Sequence, residues 1–182
     1  GAGRPVRDRG RAAGNDRGGP HRPADHRGRQ GGAGAVAGDL YRGMGCEVIE
    51  LFCEVDGNFP NHHPDPAHPE NLQDLIHTLA TTDAELGLAF DGDGDRAFLV
   101  DEKGGVVSGS ILGTLIIEKT LKQNPGATIL YNAIASRIVP DTIKALGGKA
   151  IRTKVGHSFI KAEMRKHDAV FACEHSGHFY FR

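Results

Sequence analysis

The most constraining feature of this sequence is a short segment, 91–96, in which three aspartates alternate with glycines before an arginine. The spacing i, i+2, i+4 lets the carboxylates of Asp91, Asp93 and Asp95 turn towards one point, because glycine permits the tight backbone that this requires. Three like charges so close together repel each other unless a cation lies between them. Oxygen ligands of this kind suit a hard divalent ion, Mg2+ or Ca2+. The segment therefore predicts a metal-binding loop.

Two other interpretations of this loop are open to the sequence. In an EF-hand register the three aspartates fill positions 1, 3 and 5 and Glu102 fills position 12, but position 6, which needs glycine, is Arg96. The flanking residues also have the pattern of strands, where an EF-hand has helices. A solvated acidic turn is the second alternative, and it gives Arg96 no role. Both are weaker than a dedicated metal loop.

From Val36 onwards, segments with the hydrophobic periodicity of helices alternate with segments typical of strands, as in an α/β protein. Ser110 is placed to cap the second of four helices, and Pro140 lies awkwardly inside the third. The alternation of helices and strands predicts layered mixed sheets with flanking helices. The helices are predicted over 71–80, 110–121, 136–146 and 157–166, and the strands over 48–52, 86–90, 97–100, 128–131, 149–153, 169–172 and 179–181.

Residues 1–35 differ in composition from the rest of the chain. They hold eight Arg, three Asp, ten Gly and no Lys, Leu, Ile or Phe, for a net charge of +5. Such a segment cannot bury a core, so it is predicted to be a disordered arm or a non-native stretch translated out of frame. An Arg/Gly arm that binds RNA is an alternative, but no aromatic residue accompanies the arginines to stack on bases. We therefore predict no nucleic-acid partner.

The chain shows no sign of a membrane or secretory destination. No apolar run approaches the ~18 residues of a membrane span, and the first residues lack the apolar region of a signal peptide. Its three cysteines, Cys46, Cys53 and Cys173, are an odd number without a CxxC spacing. Reduced thiols in the cytoplasm are the simplest interpretation. We predict a cytoplasmic protein with no membrane partner.

Four ordered motifs give the sequence a family resemblance. The D-G-D-G-D-R loop resembles the metal loop of the α-D-phosphohexomutases, the phosphomannomutase/phosphoglucomutase group. The other three motifs match in the same order, and the resemblance covers residues 36–182. They are D-G-N-F-P-N-H at 56–62 with P-E-N-L at 69–72, V-G-H-S-F-I-K at 155–161, and E-H-S-G-H at 174–178.

The resemblance implies a fold and a reaction. Residues 36–102 would be part of the second mutase domain, with the metal loop, and residues 103–182 most of the third domain. In the family, a phosphoserine and Mg2+ interconvert hexose 6-phosphate and hexose 1-phosphate through a bisphosphate. Mg2+ and cationic side chains stabilise the phosphoryl group during such a transfer. The expected ligands are Mg2+ and mannose or glucose phosphate.

The resemblance also implies individual roles. Asp91, Asp93 and Asp95 would bind Mg2+, and Arg96 would contact the phosphoryl group. His157 would assist proton transfer or orientation at the reacting hydroxyl, although a local role at the start of its helix is an equal alternative. The sugar hydroxyls would be held by the side chains of Glu174, Ser176 and His178.

The departures from the family pattern limit the expected activity. None of the five serines precedes Asp91, so the phosphoserine of the family has no counterpart. Ile134 stands where many relatives carry lysine. The sequence pattern of the second domain's opening strand cannot be identified in residues 1–35. The sequence also ends just after the sugar loop. We therefore expect a fragment without mutase turnover, and we expect exposed sheet edges to promote self-association.

Two further functions are weighed against this one. A phosphoglucosamine mutase fragment would keep the scaffold, but that group tends to carry glutamine at the position of His175. A non-catalytic module that binds metal or sugar phosphate would keep the ligand sites without the chemistry.

Overall fold

The computed structural model describes residues 11–13, 33–54 and 56–182. The chain divides into two compact units, Gly1–Val106 and Val107–Arg182. Each unit has an α/β architecture, as the alternation of helices and strands predicted. Within the described ranges, none of the helices combines the length and the apolar character needed to span a bilayer.

The first unit is built on a sheet with the strand order β2-β1-β3-β4-β5. Strand β1 runs parallel to β2 and β3, whereas β3 and β4 are antiparallel. Its elements are β1 (Arg11–Ala13), α1 (Gly34–Gly43), β2 (Glu47–Ile49), a 3₁₀ helix (Pro69–Leu72), α2 (Gln73–Thr81), β3 (Leu86–Phe90), β4 (Ala97–Asp101) and β5 (Val106–Val107).

Helix α2 packs its apolar face on this sheet. Leu75 and Leu79 are buried, and a Cβ atom at Gly87 of β3 would come within 2.9 Å of the Leu75 side chain. The glycine thus lets α2 approach β3 closely. The buried core consists of Leu51, Leu72, Leu75, Leu79, Ala84, Ala89 and Val100.

Strand β1 lies within residues 1–35, which the sequence predicted to be a disordered or non-native segment, so the three residues Arg11–Ala13 differ from that expectation. Arg11–Ala13 lies between β2 and β3, and Ala12 pairs with Val48 on one side and Leu86 on the other. Three residues are too few to show a period-2 pattern, which explains why the sequence did not reveal this strand. The rest of the predicted arm, apart from residues 33–35, lies outside the described residues.

The second unit is a three-layered α/β structure. Its sheet has the order β7-β6-β8-β9, with β6, β7 and β8 parallel and β9 antiparallel to β8. Its elements are α3 (Gly109–Gln123), β6 (Thr128–Asn132), α4 (Ile138–Ala145), β7 (Lys149–Thr153), α5 (His157–Lys166), β8 (Phe171–Cys173) and β9 (Phe179–Phe181).

Two cores cover the two faces of the second sheet. Adjacent residues of β6, Ile129 and Leu130, are both fully buried and belong to different cores, because side chains alternate across a strand. One core packs beneath α3 and α4 and consists of Ile117, Leu121, Ile129, Val139, Ile143, Phe171 and Cys173. The other packs beneath α5 and consists of Leu130, Ile160, Met164, Ala169 and Ala172.

Several predicted boundaries differ from the observed ones. Helix α3 is capped by Ser108, whose Oγ accepts a hydrogen bond from the backbone N–H of Ile111, so the prediction that Ser110 is the cap is wrong. Helix α4 begins at Ile138, later than predicted, and this places Pro140 in its first turn. Proline is tolerated there because the first N–H groups of a helix have no partner within it.

Candidate functional site

The metal loop joins the antiparallel strands β3 and β4, where Phe90 pairs with Ala97. This strand context confirms that the loop is not an EF-hand. Gly94 has a φ of +76°, and a Cβ atom there would lie 2.6 Å from the Cβ of Ala33. Glycine is therefore required at this position for both its backbone conformation and its close packing.

The three carboxylates of the loop lie together as the spacing predicted. Asp91, Asp93 and Asp95 each offer an oxygen, and the three oxygens lie within 4.8 Å of one another. Asp91 is 3% exposed, whereas Asp93 and Asp95 are open to solvent. An all-oxygen, anionic donor set of this kind fits a hard divalent cation such as Mg2+.

Arg96 is bound to two carboxylates beside this cluster. Its Nε donates to Asp91 Oδ2 over 2.5 Å, its backbone N–H donates to Asp91 Oδ1 over 3.1 Å, and its Nη1 donates to Asp65 Oδ1 over 2.9 Å. Burial acts to raise the pKa of the Asp91 carboxyl, but the hydrogen bonds and the charge of Arg96 outweigh it and lower the pKa. The guanidinium is thereby held in one place at the edge of the metal loop.

Asp65 is a site residue that the sequence did not reveal. It belongs to the segment 62–66, H-H-P-D-P, which none of the predicted helices and strands includes. The carbonyl oxygen of Pro64 accepts a hydrogen bond from the N–H of Gly92 over 3.1 Å, so this segment is attached to the metal loop. The proximity of a carboxylate to Arg96 across 31 residues of sequence has no local pattern that could have signalled it.

The predicted sugar loop is a tight connection between β8 and β9. The N–H of Glu174 donates to the carbonyl of His178 over 3.0 Å, and Gly177 turns the chain with a φ of +90°. The structure brings Ser176 and His178 together, with 2.8 Å between Ser176 Oγ and His178 Nδ1. The loop thus gathers a carboxylate, a hydroxyl and an imidazole within five consecutive residues.

Glu174 occupies the centre of this group. It is 3% exposed, and its Oε1 accepts hydrogen bonds from Asn132 Nδ2 (3.2 Å) and from the N–H of Gly156 (3.3 Å). Its Oε2 accepts a hydrogen bond from the hydroxyl of Tyr180 (2.8 Å) and lies 3.5 Å from His178 Nδ1. The donors come from the end of β6, the residue before α5, and β9.

The topology of the sheet explains why distant motifs meet at Glu174. Strands β6, β7 and β8 are parallel, so their carboxyl ends lie at one edge of the sheet, where α/β proteins bind ligands. His157 is the first residue of α5 and is exposed, and Gly156 before it donates to Glu174. Ile134, in the turn after β6, is 60% exposed and offers no charge in place of the family lysine.

The start of helix α3 packs against the sugar loop, residues 174–178. Ser110 is buried, and its Oγ lies 2.9 Å from His175 Nδ1 and accepts a hydrogen bond from the N–H of Ser136 over 3.0 Å. A Cβ atom at Gly109 would come within 2.6 Å of the carbonyl oxygen of His175. Ser110, which the sequence suggested only as a helix cap, therefore helps to position the loop.

The eight predicted site residues fall into two groups, one in each unit. Asp91, Asp93, Asp95 and Arg96 form the first group, and His157, Glu174, Ser176 and His178 lie at one edge of the second sheet. Sequence reasoning missed the residues that hold them in place, which are Asp65, Ser110, Asn132 and Tyr180.

Comparison with protein families agrees with this division. The model described as "Phosphoglucomutase/phosphomannomutase, alpha/beta/alpha domain II" matches residues 28–105, and the model of domain III of the same family matches residues 108–182. Together the two models cover most of the chain.

The individual proteins that the chain is similar to carry the names of the same family. A phosphoglucomutase from Neisseria gonorrhoeae is 53% identical over 152 residues, and a phosphomannomutase/phosphoglucomutase from Pseudomonas putida is 49% identical over 152 residues. Each alignment covers 84% of this chain and 33% of the relative, so the chain spans about one third of the length of these curated relatives. A crystal structure of a phosphoglucomutase/phosphomannomutase family protein from Burkholderia thailandensis matches with a TM-score of 0.84 and 43% identity. That match covers 95% of this chain and 35% of the other.

Proposed function

Because the chain belongs to the phosphoglucomutase/phosphomannomutase family, we propose that it supplies the metal-binding and sugar-binding parts of a phosphohexomutase site. The activity to which these parts contribute is the interconversion of hexose 6-phosphate and hexose 1-phosphate. The observation that carries the proposal is the clustering of three carboxylate oxygens within 4.8 Å beside an arginine held by Asp91 and Asp65.

We propose Mg2+ as the metal, bound by Asp91, Asp93 and Asp95. The oxygen donor set and the two solvent-exposed carboxylates support this choice. When bound, the ion would neutralise charge on a phosphoryl group. Arg96 would contact the same phosphoryl group, since its guanidinium is already fixed at the edge of the loop by two carboxylates.

The sugar-binding part is proposed to consist of Glu174, Ser176 and His178. A buried carboxylate, a hydroxyl and an imidazole provide the acceptors and donors that sugar hydroxyls need. His157 would face the reacting hydroxyl, and its exposure at the start of α5 supports access to a ligand. A glucose or mannose phosphate is the proposed ligand, and an amino sugar phosphate is the alternative.

We further propose that these 182 residues bind their ligands without turning them over. No serine precedes Asp91 in the sequence, so the covalent phosphate donor of the family has no counterpart in this stretch. A cytoplasmic setting is part of the proposal and is supported by the odd number of cysteines, which lack a CxxC spacing.

The metal part is tested by titrating the chain with Mg2+ while recording backbone amide signals by NMR. We expect the amides of Gly92 and Gly94 to shift to saturation in the wild type and in Asp39→Asn, a control whose carboxylate is exposed on α1. The double variant Asp93→Asn/Asp95→Asn should show no saturable shift. A loop that responds equally in all three chains would refute the metal assignment.

The sugar part is tested by calorimetric titration with glucose 6-phosphate, mannose 6-phosphate and glucosamine 6-phosphate. We expect Glu174→Gln to weaken binding of the preferred ligand at least tenfold, because the substitution removes a charged acceptor. Glu163→Gln, which changes a partly exposed residue of α5 paired with Lys166, should leave binding unchanged. Tightest binding of the amino sugar would favour the alternative substrate. Sustained formation of hexose 1-phosphate would refute the expectation of no turnover.

A further inference from the structure

In the part of the chain that the structure describes, the Glu174 carboxylate accepts hydrogen bonds from neutral donors, and no lysine or arginine pairs with it. Asn132, Gly156 and Tyr180 each donate one hydrogen bond to it. Among the ion pairs found in the described residues, only the imidazole of His178 comes near, at 3.5 Å from Oε2. A buried carboxylate held in this way is fixed in orientation before any ligand arrives.

Counting acceptor positions shows how much of this carboxylate remains for a ligand. An ionised carboxylate offers about four lone-pair positions, two on each oxygen. Asn132 and Gly156 use both positions of Oε1, and Tyr180 uses one position of Oε2. Counting only hydrogen bonds between described residues, one position remains on Oε2, the oxygen that lies 3.5 Å from His178 Nδ1.

We propose that Tyr180 is a positioning residue that sets the specificity of the sugar site, a role that rests on the proposed function of Glu174. Its hydroxyl fixes the orientation of the carboxylate and leaves one acceptor position, so that Glu174 accepts a single hydroxyl of the bound sugar phosphate. Tyr180 itself does not contact the sugar.

The placement of Tyr180 suits this role. Tyr180 lies in the middle of β9 and pairs with Ala172 of β8. Ala172 is two residues before Glu174 in the chain. The ring of Tyr180 is stacked near that of His178, with 6.4 Å between the ring centroids. The side chain is thus supported by the sheet on one side and by a residue of the sugar loop on the other. A phenylalanine would preserve this packing and remove only the hydrogen bond.

The test uses the whole chain and a ligand series. Dissociation constants are measured by calorimetry for glucose 6-phosphate and its monodeoxy analogues, with wild type, Tyr180→Phe and Tyr131→Phe. Tyr131 of β6 is the matched control, since the same change is made in a half-buried residue packed against the α3/α4 core. We expect Tyr180→Phe to raise the dissociation constant for glucose 6-phosphate about tenfold, which is the effect of losing one hydrogen bond to a charged group. Tyr131→Phe should have no effect.

The analogues separate positioning from a general structural effect. For one monodeoxy analogue, the one that lacks the hydroxyl bound by Glu174, wild type and Tyr180→Phe should bind equally. For the other analogues the tenfold difference should persist. In a Glu174→Gln background, Tyr180→Phe should cause no further loss, since coupled residues are not additive.

Four results would overturn this role for Tyr180. Unchanged binding by Tyr180→Phe, or an equal loss for every analogue, would refute the positioning role while leaving the proposed function intact. Two monodeoxy analogues that abolish the difference would refute the single acceptor position. A wild-type chain that binds none of these sugar phosphates would refute both the proposed function and this role.

Discussion

Asp65 and Asp91 share the guanidinium of Arg96, and this ion-pair network is largely shielded from solvent. The side chains of Arg96, Asp65 and Asp91 are 25%, 21% and 3% exposed. We expect Asp65→Asn to lower the free energy of unfolding by about 1 kcal/mol, because it removes a charge-assisted hydrogen bond that is partly shielded. Urea denaturation measures this change.

A matched control for Asp65→Asn is available in the same unit. Asp39 pairs with Arg42, but its side chain is 89% exposed, so solvent screens the pair. Asp39→Asn should change the free energy of unfolding by less than about 0.5 kcal/mol. Equal effects of the two substitutions would show that Asp65 has no special role in holding Arg96.

Cysteine reactivity gives a second prediction at the residue scale. Burial, and then the charge of Glu174, raises the pKa of the Cys173 thiol to about 12. At pH 8, the folded chain should therefore react with iodoacetamide at the half-buried Cys46 and not at Cys173, because the thiolate is the nucleophile. Mass spectrometry of the native chain measures this, and labelling in urea, where all three thiols should react, is the control. Native Cys173 labelled as fast as Cys46 would contradict its burial.

The same pKa shift has a consequence for stability. The folded state holds the Cys173 proton up to about pH 12, whereas the unfolded chain releases it near the ordinary value of 9.0. Between these values the folded state binds more protons, so the free energy of unfolding falls as the pH rises.

Single residues also show where sequence reasoning reached its limit. The carboxylate cluster was predictable because its spacing is local, and the structure brings Asp91, Asp93 and Asp95 together. Ser110 was misinterpreted because its partner, His175, lies 65 residues away. Composition and hydrophobic periodicity describe residues that are close in the chain, and they carry no information on contacts between residues far apart in the sequence.

At the scale of elements, the approach of α3 to the sugar loop depends on small residues. A Cβ atom at Gly109 would lie 2.6 Å from the carbonyl oxygen of His175 and 2.9 Å from the N–H nitrogen of Gly177. Backbone atoms cannot yield as a flexible side chain can, so Gly109→Ala should push the loop outwards. We expect a loss of about 1–3 kcal/mol in the free energy of unfolding, as for other overpacked sites.

A glycine with open surroundings gives the control for this prediction. Gly43, the last residue of α1, has nothing within 4 Å of its added Cβ atom. Gly43→Ala should leave stability unchanged or raise it by up to about 1 kcal/mol, because alanine loses less backbone entropy in a helix. If Gly109→Ala were equally harmless, the loop would not rest on α3 as described. Both values come from urea denaturation.

Elements with a strong local pattern were the most predictable. Helix α5 and the strands β3, β7 and β9 have the predicted bounds, His157–Lys166, Leu86–Phe90, Lys149–Thr153 and Phe179–Phe181. Helix α3 was found but its cap was misplaced, because Ser108 and Ser110 are both suitable residues for that role. The β1 strand was missed because it is formed by pairing with β2 and β3 rather than by its own sequence.

At the scale of the whole molecule, the chain presents an apolar surface beside an open sheet edge. Strand β9 is the last strand of its sheet and pairs only with β8 among the described strands. Next to it, an open groove of about 630 Å³ is lined by the apolar residues Leu115, Ile116, Val170 and Phe181 together with five polar or charged residues. Leu115 is 57% exposed and Phe181 is 67% exposed.

Such an edge promotes association between copies of a chain, since its backbone groups and apolar side chains can pair with a second edge. We expect the wild-type chain to show a concentration-dependent increase in sedimentation coefficient in analytical ultracentrifugation. Phe181→Asp should suppress this increase, because a charge on the edge strand opposes pairing. Phe159→Asp is the matched control, since Phe159 is likewise an exposed phenylalanine, at 57%, but lies on α5. If both variants sediment alike, association does not use the β9 edge, and a wild-type chain that stays monomeric at every concentration would refute the association itself.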